Sequence, residues 1–184
     1  MAIVLTKNQG INLNKGISNV HFMISWDSEV DMDIHAIVLK DGKGLDEQDF
    51  IFYNNLIHPT GAVKHSGDVR NGKNVIGTDD EIITVNLTAL SQAMPDRDEV
   101  LFTAEIFEGA QQGIDFSDIG PAICKVINAD NGETLVEYRL DRDLVGDVCA
   151  KVARFVKDNG SWRFEALGQG QNSLVAILQS VNLM

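Results

Sequence analysis

Short runs in which apolar and polar residues alternate recur along the chain up to residue 140, and they predict β-strands. The runs are rich in β-branched and aromatic residues, and turn-forming residues separate them, which is the pattern of a β-sandwich. We therefore expect a mainly β fold, an antiparallel β-sandwich. The predicted strands span residues 20–26, 34–39, 50–53, 81–87, 100–107, 123–128 and 134–140.

The turn residues Asp130, Asn131 and Gly132 lie between the last two predicted strands. An Asn-Gly pair tolerates the positive φ angles of a type I′ turn, so this segment predicts a tight hairpin turn. Antiparallel pairing of the flanking strands follows from a hairpin.

Two later stretches have apolar residues at helical spacing and predict α-helices on the periphery and at the C-terminus of the sandwich. The first spans residues 145–157, and Asn159-Gly160 supplies the expected stop beyond its end. The second follows Ser173, a favourable N-terminal cap. The apolar positions of the first are Val148, Val152, Phe155 and Val156, and those of the second, expected in the core, are Leu174, Ile177, Leu178 and Val181.

The composition predicts one globular domain that spans residues 1–184, with 44% hydrophobic and 23% charged residues. The net charge of −12 argues against a nucleic-acid partner, because phosphate binding depends on clustered Lys and Arg. Excess acid suits cation binding, although acidic surfaces also simply keep proteins soluble.

Residues 1–7 show no basic segment followed by an apolar run, and no stretch is long and apolar enough to span a bilayer. We therefore expect a cytoplasmic protein without a transmembrane segment. Cys124 and Cys149 both lie on apolar patterns, the second on the predicted helix, and are expected to be reduced core thiols. A functional thiol site is the alternative, but it lacks a C-x-x-C pair.

Hard oxygen donors form four clusters within about fifty residues, each beside a predicted strand, and they predict a metal site. Calcium suits them, because it takes about six to eight oxygen ligands in irregular geometry, whereas zinc prefers nitrogen and sulfur. The clusters contain Asp31 and Asp33, then Asn54 and Asn55, then Asp68, and finally Asp79, Asp80 and Glu81.

Alternation along a strand would place Asp31, Asp33 and His35 on one face, where two carboxylates repel unless a cation lies between them. The spacing is not that of an EF-hand, because the loop Gly and distal Glu are missing. A solvated loop edge is the alternative. The stretch from Gly67 to Lys73 nearly matches a P-loop, but Asn74 replaces its Ser or Thr and no helix follows, so we assign the loop to the cation site.

Several of these residues belong to motifs that resemble the tellurium-resistance TerD family over nearly the whole chain. The motifs are Phe50-Ile51-Phe52-Tyr53-Asn54-Asn55, His65, Gly67-Asp68, the G-x-D-D-E segment from Gly77 to Glu81, Trp26-Asp27, and the C-terminal Asn159-Gly160, Trp162, Phe164 and Gly168-Gln169-Gly170. The resemblance implies a calcium-binding β-sandwich of a bacterial or phage stress-response system, including tellurite resistance.

The chain departs from the family pattern at three places. His35 stands where the family commonly has a third Asp, Val69 follows Gly67-Asp68 where the family has Asn, and Phe107-Glu108 replaces a His-Asp pair. Glu108 retains a carboxylate with a longer arm and remains a candidate ligand.

We predict a calcium-dependent, non-catalytic component of a stress-response protein assembly. One alternative is a structural or protein-interaction module, such as a phage or scaffold domain, without functional metal binding. Another is a hydrolase that uses acidic residues with a metal, although no nucleophile motif supports it. The candidate ligands are Asp31, Asp33, Asn54, Asn55, Asp68, Asp79, Asp80, Glu81 and Glu108. Asp27 and His65 are expected to support these ligands without contacting the ion.

Overall fold

A computed structural model describes residues 1–14, 16–68 and 81–184 of the chain. Within these ranges the strands are β1 (Ile3–Leu5), β2 (Gly10–Asn12), β3 (Asn19–Ser25), β4 (Met32–Leu39), β5 (Phe50–Ile51), β6 (Val63–His65), β7 (Glu81–Asn86), β8 (Glu99–Ile106), β9 (Ile123–Asn128), β10 (Thr134–Arg139), β11 (Cys149–Asp158) and β12 (Ser161–Gln171). The helices are α1 (Leu87–Ala93), α2 (Gly109–Gln112), α3 (Leu140–Asp143) and α4 (Leu174–Ser180), and a short 3-10 helix spans Glu47–Asp49.

The described strands form two sheets of six strands each. Sheet 1 has the order β1-β10-β9-β3-β7-β6, and sheet 2 has the order β2-β12-β11-β8-β4-β5. The β1–β10 pair is parallel, and the other strand pairs in the described residues are antiparallel. The prediction of a mainly β, antiparallel-rich sandwich is confirmed.

The core lies between the sheets and is built from the inward positions of each strand. Phe22 on β3 stacks on Phe102 on β8, with ring centroids 4.0 Å apart, and Phe155 and Phe164 extend this aromatic cluster. All four rings are fully buried. Burial of each contributes about 1.5 to 3 kcal/mol, so this cluster fixes the two sheets face to face.

The C-terminal helix covers the outer face of sheet 2, as the apolar spacing predicts. Ser173 Oγ accepts a hydrogen bond from the Ala176 amide and caps α4. Ile177 and Leu178 are buried against Ile37 and Cys149. Among the described residues, no helix is long and apolar enough to cross a membrane.

The predicted helix over residues 145–157 is wrong, because residues 149–157 belong to strand β11. Pairing shifts register on both sides of β11 between Lys151 and Ala153, which marks a β-bulge. The bulge buries Val152 and Ala153 in succession, so the apolar residues of a bulged strand recur at spacings that imitate a helix. Asn159-Gly160 accordingly does not end a helix.

Two of the Asn-Gly pairs, Asn131-Gly132 and Asn159-Gly160, lie in hairpin turns of different length. Asn159 (φ 47°) and Gly160 (φ 79°) form the two-residue turn between paired Asp158 and Ser161, the geometry of a type I′ hairpin. The predicted β9–β10 hairpin is present, but of its Asn-Gly pair only Gly132 has a positive φ. The β9–β10 turn is therefore longer than predicted.

Both cysteines are free and buried. Burial raises the pKa of Cys149 to about 12 and also raises that of Cys124. Both thiols are therefore protonated at neutral pH, which makes them poor nucleophiles and metal ligands.

Candidate metal centre

Three of the predicted ligands meet at one end of the sandwich. Carboxylate oxygens of Asp31, Asp33 and Asp68 all lie within 4.8 Å of one another. They line a pocket of about 280 Å³ together with the side chains of Tyr53 and Phe107. We call this site, defined by these three aspartates, the acidic pocket.

The loop before β4 brings Asp31 and Asp33 to the rim. Trp26 is buried and donates from Nε1 to the Val30 carbonyl over 2.8 Å, which holds the loop between them. The Asp31 carbonyl then accepts from the Phe107 amide over 2.9 Å. The start of β4 is thereby fixed against the end of β8, which brings Phe107 to the pocket.

Two buried side chains of sheet 1 satisfy the backbone of Ile34, where β5 does not reach. The Ile34 amide donates to Glu81 Oε2 over 2.8 Å, and the Ile34 carbonyl lies 3.0 Å from His65 Nε2. β5 pairs only with Ala36 and Ile37. Glu81 and His65 therefore close the open edge of β4 beside Asp33.

His65 also fixes the segment that carries Asp68. The Gly67 amide donates to His65 Nδ1 over 3.0 Å, so Nδ1 is unprotonated and Nε2 carries the proton that it donates to Ile34. One neutral imidazole thus connects the backbone next to Asp33 with the backbone next to Asp68. The support of metal ligands by His65 stays a prediction.

The electrostatic environment of Asp33 is strongly negative. Burial and the nearby charges of Glu81, Asp31, Asp68 and Glu105 together raise the pKa of Asp33 to about 7. Desolvation and like charges both disfavour an ionised carboxylate. A cation in the pocket would reverse the second effect, because it would compensate the charges that Asp33 faces.

Glu105 belongs to this environment, although the sequence analysis did not single it out. It lies directly opposite Asp33 in the β4–β8 register, and its Oε1 accepts from the Leu174 amide at 3.4 Å. Burial raises its pKa, and this hydrogen bond opposes the shift. Antiparallel pairing of the two predicted strands, carried through to a residue register, was the sequence feature that could have identified Glu105.

His35 lies next along the same face of β4, but it is buried in a different environment. Its Nδ1 lies 3.0 Å from Thr103 Oγ1, and its ring packs near Phe50. Burial, with a smaller effect of His65, lowers the pKa of His35 to about 3. His35 is therefore neutral and is buried beside Thr103 and Phe50.

Other candidate ligands lie outside the group of three aspartates in the described residues. Asn55 Nδ2 donates to the Phe50 carbonyl over 2.7 Å and closes the turn that presents Tyr53. Asn54 and Glu108 are exposed and are not among the residues that line the acidic pocket in the described ranges. Their assignment as ligands stays a prediction.

The remaining predicted site residues divide into two groups. Asp27 is exposed, and its carbonyl would lie 3.0 Å from a Cβ at Gly120, so its backbone packs closely there. Asp79 and Asp80 lie outside the described residues, as does the P-loop-like segment from Val69 to Lys73.

Fold and pocket define a β-sandwich domain with an acidic site at one end, and comparison with known proteins gives its family. Residues 1–180 match the family model described as TerD domain. The chain therefore belongs to the TerD family.

Relatives of similar length carry names from tellurium resistance and stress response. The chain is 30% identical to tellurium resistance protein TerD of Serratia marcescens, with 92% of this chain and 91% of the relative covered. It is 31% identical to general stress protein 16U of Bacillus subtilis (strain 168), with 100% and 98% covered.

Solved structures share the fold. A homologue of telluride resistance protein TerD from Streptomyces coelicolor A3(2) superposes with a TM-score of 0.68 at 19% identity, covering 91% of this chain and 98% of that chain. A crystal structure of a protein of unknown function gives a TM-score of 0.69 at 22% identity with the same coverage.

Proposed function

We propose that this TerD-family protein binds calcium in the acidic pocket and acts without catalysis in a stress response. The observation that carries the proposal is the convergence of Asp31, Asp33 and Asp68 within 4.8 Å. The raised pKa of Asp33 supports it, because it reports negative charge that a divalent cation would compensate.

The donor set fits calcium better than other common ions. Carboxylates are hard oxygen ligands, and calcium accepts several of them in irregular geometry, completing its shell with carbonyls and water. Asp31, Asp33 and Asp68 would hold the ion. The bound ion would supply positive charge and crosslink the start of β4 to the segment after β6.

The test is a calorimetric titration of metal-stripped protein with calcium and, separately, with magnesium in physiological salt. We expect saturable calcium binding and weaker magnesium binding, because magnesium demands a compact octahedral shell. Asp33→Asn should remove the calcium signal. Asp158→Asn makes the same charge change at the last residue of β11, away from the acidic pocket, and should retain the calcium signal. No saturable calcium binding by millimolar concentration would overturn the proposal.

The surroundings of the pocket favour an interaction role for the calcium-loaded protein. Tyr53 and Phe107 line the pocket, and they are 48% and 53% exposed. Exposed aromatic side chains beside a charge-neutralised site suit protein binding. One bound ion would change the formal charge from −12 to about −10, and it would do so where such a partner docks.

We accordingly propose other proteins of a stress-response assembly as partners, and the cytoplasm as the compartment, since both thiols are free. Pull-downs from native lysate should be compared for wild type and the Asp33→Ala, Asp68→Ala double variant, with calcium or chelator. Partners retained equally in every condition would favour the interaction module without functional metal binding.

A further inference from the structure

A second cluster of ionisable side chains is almost completely removed from water. Asp49, His58 and Arg97 are 1%, 1% and 6% exposed. Asp49 Oδ1 lies 3.3 Å from His58 Nε2, and Asp49 Oδ2 accepts from Arg97 Nη2 over 3.3 Å. We call these three residues the buried ionic network.

Backbone hydrogen bonds fix both ends of the network. Asp49 Oδ2 also accepts from the amides of Leu45 and Asp46. The Thr60 amide donates to His58 Nδ1, so Nε2 carries the imidazole proton and donates it to Asp49. Burial favours the neutral form of Asp49, but hydrogen bonds from His58 and Leu45 and the charge of Arg97 outweigh it and lower its pKa.

The network joins the two ends of the segment that forms one wall of the acidic pocket. Asp49 immediately precedes β5, and His58 follows the turn of Phe52 to Asn55. Tyr53, which lines the pocket, lies between them. The Asp49–His58 hydrogen bond therefore holds the two ends of this segment together and closes it into a loop.

His58 also begins the connection to Asp68. Its amide donates to the Val63 carbonyl, and its carbonyl accepts from the Gly61 amide, which forms the turn into β6. β6 ends at His65, whose ring holds the Gly67 amide next to Asp68. His58 is thus the junction between the Tyr53 turn and the Asp68 segment.

We infer that the buried ionic network positions two walls of the acidic pocket, the Tyr53 turn and the Asp68 segment, and thereby sets its affinity for calcium. Buried ion pairs give little net stability compared with apolar packing, but they can select one geometry. Here they select the geometry of residues 49–58, because Asp49 and His58, at the two ends of this segment, both belong to the network. Its effect on calcium rests on the proposed function, whereas its effect on the walls does not.

The test compares His58→Leu and His58→Gln with wild type. Leu removes the ring hydrogen bonds to Asp49 and Thr60, whereas the Gln side-chain amide can still donate to Asp49, so Gln should restore part of the effect. Trp162→Phe is the control. It removes the hydrogen bond from Trp162 Nε1 to Ser91, which lies at the end of the sandwich away from the acidic pocket.

Hydrogen exchange of metal-free protein provides a readout that does not depend on calcium. His58→Leu should accelerate exchange in residues 50–57 and 62–68 by about tenfold or more, with His58→Gln intermediate. The calcium Kd should rise about tenfold, the typical effect of losing a residue that supports a ligand. Trp162→Phe should change neither quantity.

Unchanged exchange in these two segments of His58→Leu would overturn the inference, as would an equal rise in calcium Kd in Trp162→Phe at a matched melting temperature. If wild type binds no calcium while His58→Leu still loosens both segments, the proposed function fails and the positioning of the walls stands.

Discussion

The buried ionic network and the acidic pocket hold carboxylates toward opposite ends of strand β4, and with different neighbours. Asp49 is surrounded by donors: an imidazole, a guanidinium and two backbone amides. The charges that act on Asp33 are four carboxylates. The pKa of Asp49 is lowered, whereas that of Asp33 is raised.

This difference separates a structural carboxylate from a proposed ligand carboxylate. The charge of Asp49 is compensated within the chain, so an external cation would add nothing there. The environment of Asp33 disfavours its ionised form, so an external cation would stabilise that form strongly. Burial alone does not identify a binding site, since Asp49 is the more buried of the two by solvent exposure.

The largest effect is expected when the internal compensation is broken. Asp49→Ala removes the buried carboxylate partner of Arg97 and leaves it with the exposed carboxylate of Asp96, so it should lower the free energy of unfolding by about 3 to 5 kcal/mol. Urea denaturation of metal-free protein measures this. Asp158→Asn, at an exposed turn, should stay within about 0.5 kcal/mol of wild type. A loss below about 1 kcal/mol for Asp49→Ala would show that the network contributes little to the fold.

The next effect concerns calcium itself. A ligand that binds only the folded state stabilises it by about 2.7 kcal/mol at a hundredfold excess over its Kd. Thermal melts with and without calcium should show this shift in wild type. Asp33→Asn should lose it and, without metal at pH above about 7, should be more stable than wild type, because a disfavoured charge is removed. A calcium shift that persists in Asp33→Asn would place the ion elsewhere.

The pH dependence of metal-free protein should separate the two carboxylates further. Between about pH 4 and the folded pKa of about 7, the folded chain holds a proton on Asp33 that the unfolded chain has released. Raising the pH therefore favours unfolding, by about 1 to 2 kcal/mol from about pH 5 to about pH 6.5. Denaturation of wild type and Asp33→Asn across this range measures how the free energy of unfolding changes with pH. The contribution of Asp33 to this change should be absent in the variant. Equal slopes in both proteins would contradict the raised pKa.

Much of this arrangement followed from the sequence, because strand alternation is a local property. The pattern through Asp31, Met32 and Asp33 placed two carboxylates on one face of a strand, and in the structure their oxygens meet that of Asp68. The apolar face of the C-terminal helix was equally local. The bulge in β11 defeated the same reasoning, since one extra residue changes the spacing from that of a strand to one that resembles a helix.

Contacts between distant segments were harder to foresee. The register that sets Glu105 beside Asp33 depends on the pairing of strands about seventy residues apart. The hydrogen bond between His58 and Asp49 requires the intervening turn to fold back. His58 has no periodic context that would mark it, so no pattern in the chain predicted its partner.

The smallest expected effect tests whether Glu105 acts on the pocket through its charge alone. Among the carboxylates that raise the pKa of Asp33, Glu105 has the smallest influence. Glu105→Gln keeps an oxygen that can accept from the Leu174 amide and removes one negative charge. At about pH 8, where Asp33 is largely ionised, the calcium Kd should rise by about two- to fivefold, because a nearby charge at the protein surface is screened by water and salt.

Glu137→Gln on β10, in the other sheet, removes the same charge and should leave the calcium Kd unchanged in a calorimetric titration at physiological salt. The difference between the two variants should shrink at high salt, as expected for an effect that acts through space. A loss of fiftyfold or more in Glu105→Gln would instead make Glu105 a direct ligand and extend the acidic pocket across the β4–β8 pair.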